Sequence, residues 1–128
     1  KYLRVSHNQP NQLFYYVFDK KTEEMTNDEY ILLLKDFIKL TRQYRPKRIL
    51  GDMLQFNFVI SPETQEWIDE NLFSVYAEIG FEKIAILLST EYVTSLSIQQ
   101  AMEEDSTQAF KTQYFDDETV AKTWLMAA

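Results

Sequence analysis

The chain has 128 residues, 45% hydrophobic and 15% aromatic, with two glycines, three prolines and no cysteine. That describes one domain, residues 1–128, with enough apolar mass for a core; it excludes a disordered or linker-rich chain, disulfides, cysteine zinc sites and a thiol nucleophile. The net charge of −7 disfavours nucleic acid, whose phosphates demand a basic face, and no apolar run approaches the ~20 residues of a membrane span.

Residues 2–8 (YLRVSHN) and 12–18 (QLFYYVF) are rich in β-branched and aromatic types. The turn-prone QPN between them predicts an N-terminal hairpin. Next, Thr26 with Glu29 three residues on reads as a capping box,. Tyr30, Leu33, Leu34, Phe37, Ile38, Thr41 and Tyr44 repeat behind it at helical spacing, and Pro46 ends the helix by disfavouring helical geometry at Arg45,.

KRILGDM (47–53) predicts a short strand covered on both faces, as in parallel sheets,. Ser61 is read as the cap of a second helix, with Pro62 in its first turn and Glu63 behind,. Its stripe is Trp67, Ile68, Leu72, Val75, Tyr76 and Ile79, and Gly80 occupies the left-handed C-cap position before Phe81,. KIAILLS (83–89) is the most strand-like run and is expected at the sheet centre. Ser89 or Thr90 then caps a third helix through about 104, with Val93, Leu96, Ala101 and Met102 as its stripe. AFKTQYF (109–115) predicts a fifth strand with one exposed face. Asp116 is expected to cap a last helix that buries Val120, Ala121, Trp124 and Leu125,.

Alternating units with short connections imply the α/β class. The expected architecture is an open mixed, mostly parallel sheet of about five strands, with an N-terminal antiparallel hairpin and four helices.

Four stretches, YRPKRILGDM, ISPETQEWIDENLF, GFEKIAILLS and FKTQYFDDETVAKTWL, resemble the SpoIIAA-like (STAS/SEC14-like) family of small bacterial proteins. The similarity spans roughly residues 26–126. It implies an open α/β sheet with the βα superhelical winding of that family, whose relatives bind other proteins or, in the SEC14-type domains, lipids. Anti-sigma-factor antagonists in the family carry a phosphorylatable serine in an Asp-Ser-Ser-Gly-like turn. Here the matching turn is DMLQFNFVISPE, with no Ser-Ser-Gly and an apolar insertion. Ser61 is the only phosphorylation candidate it offers, and helix capping is the preferred role for that residue.

Ligands of open α/β sheets bind beyond the carboxyl ends of the strands. That edge would gather Asp52, Gln55, Asn57 and Ser61 after one strand, and Ser89, Thr90, Glu91 and Tyr92 after the next. Capping and turn roles account for Asp52, Ser61, Ser89 and Thr90 better than catalysis does. His7 stands in a strand without a nucleophile or metal partner nearby in sequence. The carboxylate runs at 103–106 and 115–118 lack calcium-loop spacing,. Neither a metal site nor a cofactor is expected, and the chain is read as a non-enzyme. The basic group Arg42, Arg45, Lys47 and Arg48 is assigned to a helix C-terminus, where cations complement the exposed carbonyls,.

The feature left over is the apolar segment 53–60, in which Leu54, Phe56 and Phe58 alternate with Gln55 and Asn57. An uncovered face of this kind is an association surface. The expected function is therefore a protein-interaction or regulatory domain that pairs with a second copy or another protein through Leu54, Phe56, Phe58 and Ile60. The alternative is a SEC14-like carrier whose small hydrophobic ligand contacts Phe56, Phe58, Ile60 and Tyr92, with Asn57 fixing its orientation. A plainer reading folds Phe56, Phe58 and Ile60 over the domain's own sheet edge as core. The first residues lack a basic-plus-apolar signal pattern, and the start at Lys1 rather than Met is read as processed or trimmed. A cytoplasmic protein is the expectation.

Overall fold

The computed structural model describes residues 2–8, 10, 12–58, 60–89 and 110–127. β1 (Leu3–Asn8) and β2 (Leu13–Phe18) form the expected antiparallel hairpin, with Leu3 opposite Phe18 and Asn8 opposite Leu13. β2, β3 (Arg48–Asp52), β4 (Lys83–Leu87) and β5 (Lys111–Phe115) then run parallel. The five strands lie in strict chain order, β1-β2-β3-β4-β5. The middle position belongs to β3, not to the run at 83–89: that run is the more apolar by sequence, but β5 is its only further neighbour.

Three α-helices and one 3-10 helix are found among the described residues: α1 (Asn27–Tyr44), α2 (Pro62–Glu78), α3 (Glu118–Met126) and the 3-10 helix Lys20–Glu24. The helix expected from Ser89 or Thr90 to 104 lies outside the described residues, as do Glu91, Tyr92 and the carboxylate run at 103–106.

Local chemistry sets most of these boundaries. The Thr26 hydroxyl accepts from Glu29 N at 3.1 Å while Glu29 Oε1 accepts from Thr26 N at 3.0 Å, which completes the capping box of α1,. At its other end Arg45 adopts the left-handed conformation (φ 47°) and donates its N–H to Thr41 O. Gly80 (φ 72°) closes α2, and Phe81 N donates back to Tyr76 O,. Two expectations for α3 need correction. Asp117, not Asp116, is the cap, accepting from Val120 N at 3.1 Å. Val120 is exposed; the buried edge of this short helix is Ala121 and Leu125, four residues apart, with Trp124 half-buried.

Each face of the sheet has its own cover. Phe14, Ile49 and Ile84 align across β2, β3 and β4 beneath α1 and α2. Leu50, Ala85, Leu87 and Phe115 point the other way, onto Ala121 and Leu125 of α3. Adjacent residues Ile49 and Leu50 are both 0% exposed, as a parallel strand buried on two sides requires.

Candidate functional site

The 53–60 segment leaves β3 through a turn held by its own aspartate. Asp52 Oδ1 accepts from Leu54 N at 3.0 Å, and Phe56 N donates to Met53 O at 3.2 Å. The segment is then tied to the 3-10 helix. Asn57 N donates to the hydroxyl of fully buried Thr22 at 2.8 Å, and Asn57 Nδ2 donates to Glu23 Oε2 at 3.3 Å. At the far end Ser61 Oγ accepts from Thr64 N, capping α2, and donates to Thr64 Oγ1. Thr64 Oγ1 in turn donates to Asn27 Oδ1 at 2.6 Å, which joins the starts of α1 and α2.

Pinned at three points, the segment turns its aromatic side chains inward. The Phe56 ring lies 4.7 Å from Phe18 and 5.9 Å from Tyr30, and Phe58 lies 4.9 Å from Tyr30. Met53, Phe56, Phe58 and Ile60 pack against the α1–α2 core, whereas Leu54 is exposed. Of the three readings of this segment, the packing matches the plain one for Phe56, Phe58 and Ile60.

Below it, between the sheet and helices α1 and α2, is a cavity of about 320 Å³. It sits at the carboxyl ends of the parallel strands, where a site is expected, but its walls are not the polar residues expected there. Met53 and Ile60 line it from the 53–60 segment, Ile84 and Ile86 from the sheet, and Leu34 and Ile68 from the helices. Tyr16, Tyr30, Tyr76 and Tyr114 also line it, and Gln65 is the only other polar side chain among its described lining residues. Leu3, Leu33 and Phe37 separate it from a second groove of about 410 Å³ between β1 and α1, whose wall they share.

Gly51 explains how a tyrosine comes to lie in the middle of the sheet. Tyr16, Gly51, Ile86 and Tyr114 form one cross-strand row on the α1–α2 face. A Cβ at position 51 would fall on Tyr16 Cζ and Oη, so the phenol lies across the bare glycine backbone,. Phe18 and Phe37, each 5.6 Å away with rings nearly perpendicular, hold it there.

Burial raises all four phenols above their ordinary pKa. For Tyr16 it is the main cause of a strong upward shift, to which the nearby Tyr30, Tyr114 and Asp52 add. Tyr30 is pushed up by burial to about 12. Tyr76 rises for the same reason, with Tyr16 and Tyr30 contributing, and Tyr114 rises through burial. These mutual effects put the phenols within electrostatic reach of one another, and all remain neutral donors at physiological pH.

The other sequence candidates fall elsewhere. Asp52 projects to the α3 face, opposite the cavity, where after burial it is the main cause raising the Tyr15 phenol. Asn57 and Ser61 are occupied by the tethers above, and Ser89 is exposed. Thr90 and Tyr92 lie outside the described residues. His7 packs between the rings of Phe14 (5.2 Å) and Tyr44 (4.7 Å), near the opposite end of the sheet. The basic group shares that end, where Arg42 pairs with Glu78 and Arg48 with Glu82, both at 3.5 Å. No group of acids and histidines suited to a metal ion occurs among the described residues, and no described helix is long and apolar enough to cross a membrane. Sequence reasoning missed Gly51 and the four tyrosines. The available signal was tyrosine at core positions of β2, α1 and α2, where leucine would serve packing alone.

Comparison with protein-family models, curated proteins and solved structures returned no match to this chain.

Proposed function

We propose that this chain is a non-enzymatic binding domain that holds a small apolar molecule between its sheet and helices α1 and α2. The observation that carries the reading is the cavity of about 320 Å³ at the carboxyl ends of the strands, with apolar and tyrosine walls. The space is a cleft partly open to the surface. A space this large, at the low end of ligand-pocket volumes and with a few polar groups among apolar walls, has the character of a binding site.

The polar residues offered for chemistry support the same conclusion from the other side. Asp52 serves its own turn, Ser61 caps α2, and Asn57 holds the segment over the cavity. None is directed at a common point where a substrate atom would sit. Pairing through the 53–60 segment was inferred from an apolar face without cover, and the chain's own Phe18 and Tyr30 cover Phe56 and Phe58. The strictly sequential strand order is consistent with the superhelical winding of the SpoIIAA-like group.

Native mass spectrometry tests the reading. The expected result is a one-to-one adduct with an apolar molecule, either retained through purification and released by solvent extraction or formed on adding naphthalene. A folded protein that neither retains such a molecule nor takes up naphthalene overturns it.

A further inference from the structure

Resting on that ligand-binding reading, we infer that the site takes uncharged ligands of about two fused rings that carry a hydrogen-bonding oxygen, which the tyrosine cluster around Gly51 receives. Volume sets the size. An apolar cavity of ~150 Å³ holds one benzene, and about 320 Å³ is close to twice that.

Lining chemistry sets the charge. Among the described lining residues there is no lysine, arginine, histidine or carboxylate. A carboxylate or ammonium drawn wholly among these described walls would lose its hydration without gaining a counter-charge from them, at a cost far larger than its apolar contacts return. The upward pKa shifts of the four phenols express the same preference, since burial there penalises the anion.

The phenols set the polar requirement. Tyr16, Tyr30 and Tyr76 are each more than nine-tenths buried as residues. No hydrogen bond joins any of the four hydroxyls to another described residue, and none of these oxygens is sealed without a partner, so each reaches the open space of the cavity. Buried hydroxyls are ordinarily partnered. A packing role alone would be met by phenylalanine, which is already abundant around the cavity at Phe18 and Phe37. A ligand oxygen in the cavity supplies the partner. Gly51 permits this arrangement, because any larger residue there would lift Tyr16 off the sheet.

Three probes of one size separate the possibilities: 2-naphthol, naphthalene and 2-naphthoate, titrated by fluorescence at neutral pH, where only the last is charged. Binding of 2-naphthol should be at least tenfold tighter than that of 2-naphthoate. Tyr16→Phe, Tyr30→Phe, Tyr76→Phe and Tyr114→Phe are then made singly and checked for native circular dichroism. At least one should weaken 2-naphthol roughly five- to tenfold, the effect of one hydrogen bond, while leaving naphthalene unchanged. If 2-naphthoate binds within threefold of 2-naphthol, the inference about charge is overturned and the binding site stands. If all four variants leave 2-naphthol unchanged, or weaken it no more than naphthalene, the phenols are walls and not donors. If none of the probes binds, the ligand-binding reading itself is overturned.

Discussion

Replacing Gly51 by alanine tests the geometry at the centre of the site. The added methyl would land on Tyr16 Cζ and Oη and would come within 2.8 Å of Cε2, so the phenol must retreat by about an ångström to reach ordinary contact. Phe18 and Phe37 block two directions, and the cavity leaves one side open. The ring therefore moves into the cavity without unfolding the sheet, which places the cost within the usual overpacking range of ~1–3 kcal/mol. A value of ~2 kcal/mol would lower the melting temperature of a chain this long by about 7 °C. Removing glycine from a strand would by itself gain ~0.5–1 kcal/mol, so the background matters. In Tyr16→Leu, whose side chain ends short of position 51, Gly51→Ala should be neutral or mildly stabilising. Urea unfolding of the two single variants and the double variant gives the coupling directly, and ~2 kcal/mol is expected. Equal cost in both backgrounds, within ~0.5 kcal/mol, would refute the placement of Tyr16 over Gly51.

Thr22→Val keeps the shape of a fully buried residue but removes the acceptor for Asn57 N; urea unfolding should show a loss of ~1–3 kcal/mol, the cost of an unpaired buried donor. Ser61→Ala removes the cap of α2 and should cost ~1 kcal/mol without changing naphthalene binding. Phe56→Ala should destabilise by ~2–3 kcal/mol, at the lower end for a half-buried aromatic, with a midpoint independent of protein concentration; a midpoint that rises with concentration would restore the paired-chain reading. Tyr30, raised by burial to about 12, keeps its proton where an unfolded chain, with the ordinary value of 10, loses it. The folded state then holds more protons, so stability is intact below pH 10 and falls as pH rises from about 10 to about 12, by ~1.4 kcal/mol per unit for each such phenol. Urea midpoints across that range, with the phenolate band followed in parallel, check the sign.

Much of the architecture was readable because short-range chemistry determines it. Thr26 with Glu29, Ser61 with Pro62, and Gly80 with Phe81 each carry a local reason for a helix end, and all three ends are found where expected. The last helix shows the limit of that reasoning. Asp116 and Asp117 are equally able to cap, and only the fold decides that Asp117 does. In a helix of nine residues, Val120 fits a buried stripe on paper, but the sheet accommodates only the line through Ala121 and Leu125. The 3-10 helix has five residues, too few to display a period, so nothing in KKTEE announces it. The cavity was hidden for a different reason. Its row of Tyr16, Gly51, Ile86 and Tyr114 draws on four strands separated by long stretches of chain.

Gly51, through Tyr16, and the apolar segment that follows it both shape the cavity. A side chain at 51 would collide with Tyr16, so glycine lets the phenol lie flat on the sheet, where it forms part of the cavity wall. The cavity of about 320 Å³ is bounded on one side by Met53 and Ile60. A polar loop would bring its backbone and side chains over an apolar opening and leave them without partners. The 53–60 segment instead supplies Met53 and Ile60 to the cavity wall, braces them with Phe56 and Phe58 against Phe18 and Tyr30, and ties its polar Asn57 to buried Thr22 and exposed Glu23. Its apolar character thus matches the apolar walls it adjoins. Gly51→Ala should accordingly weaken ligand binding, and Phe56→Ala should increase ligand exchange; an exchange rate unchanged in Phe56→Ala, followed by stopped-flow release of naphthalene, would show that the segment is not a wall of the site.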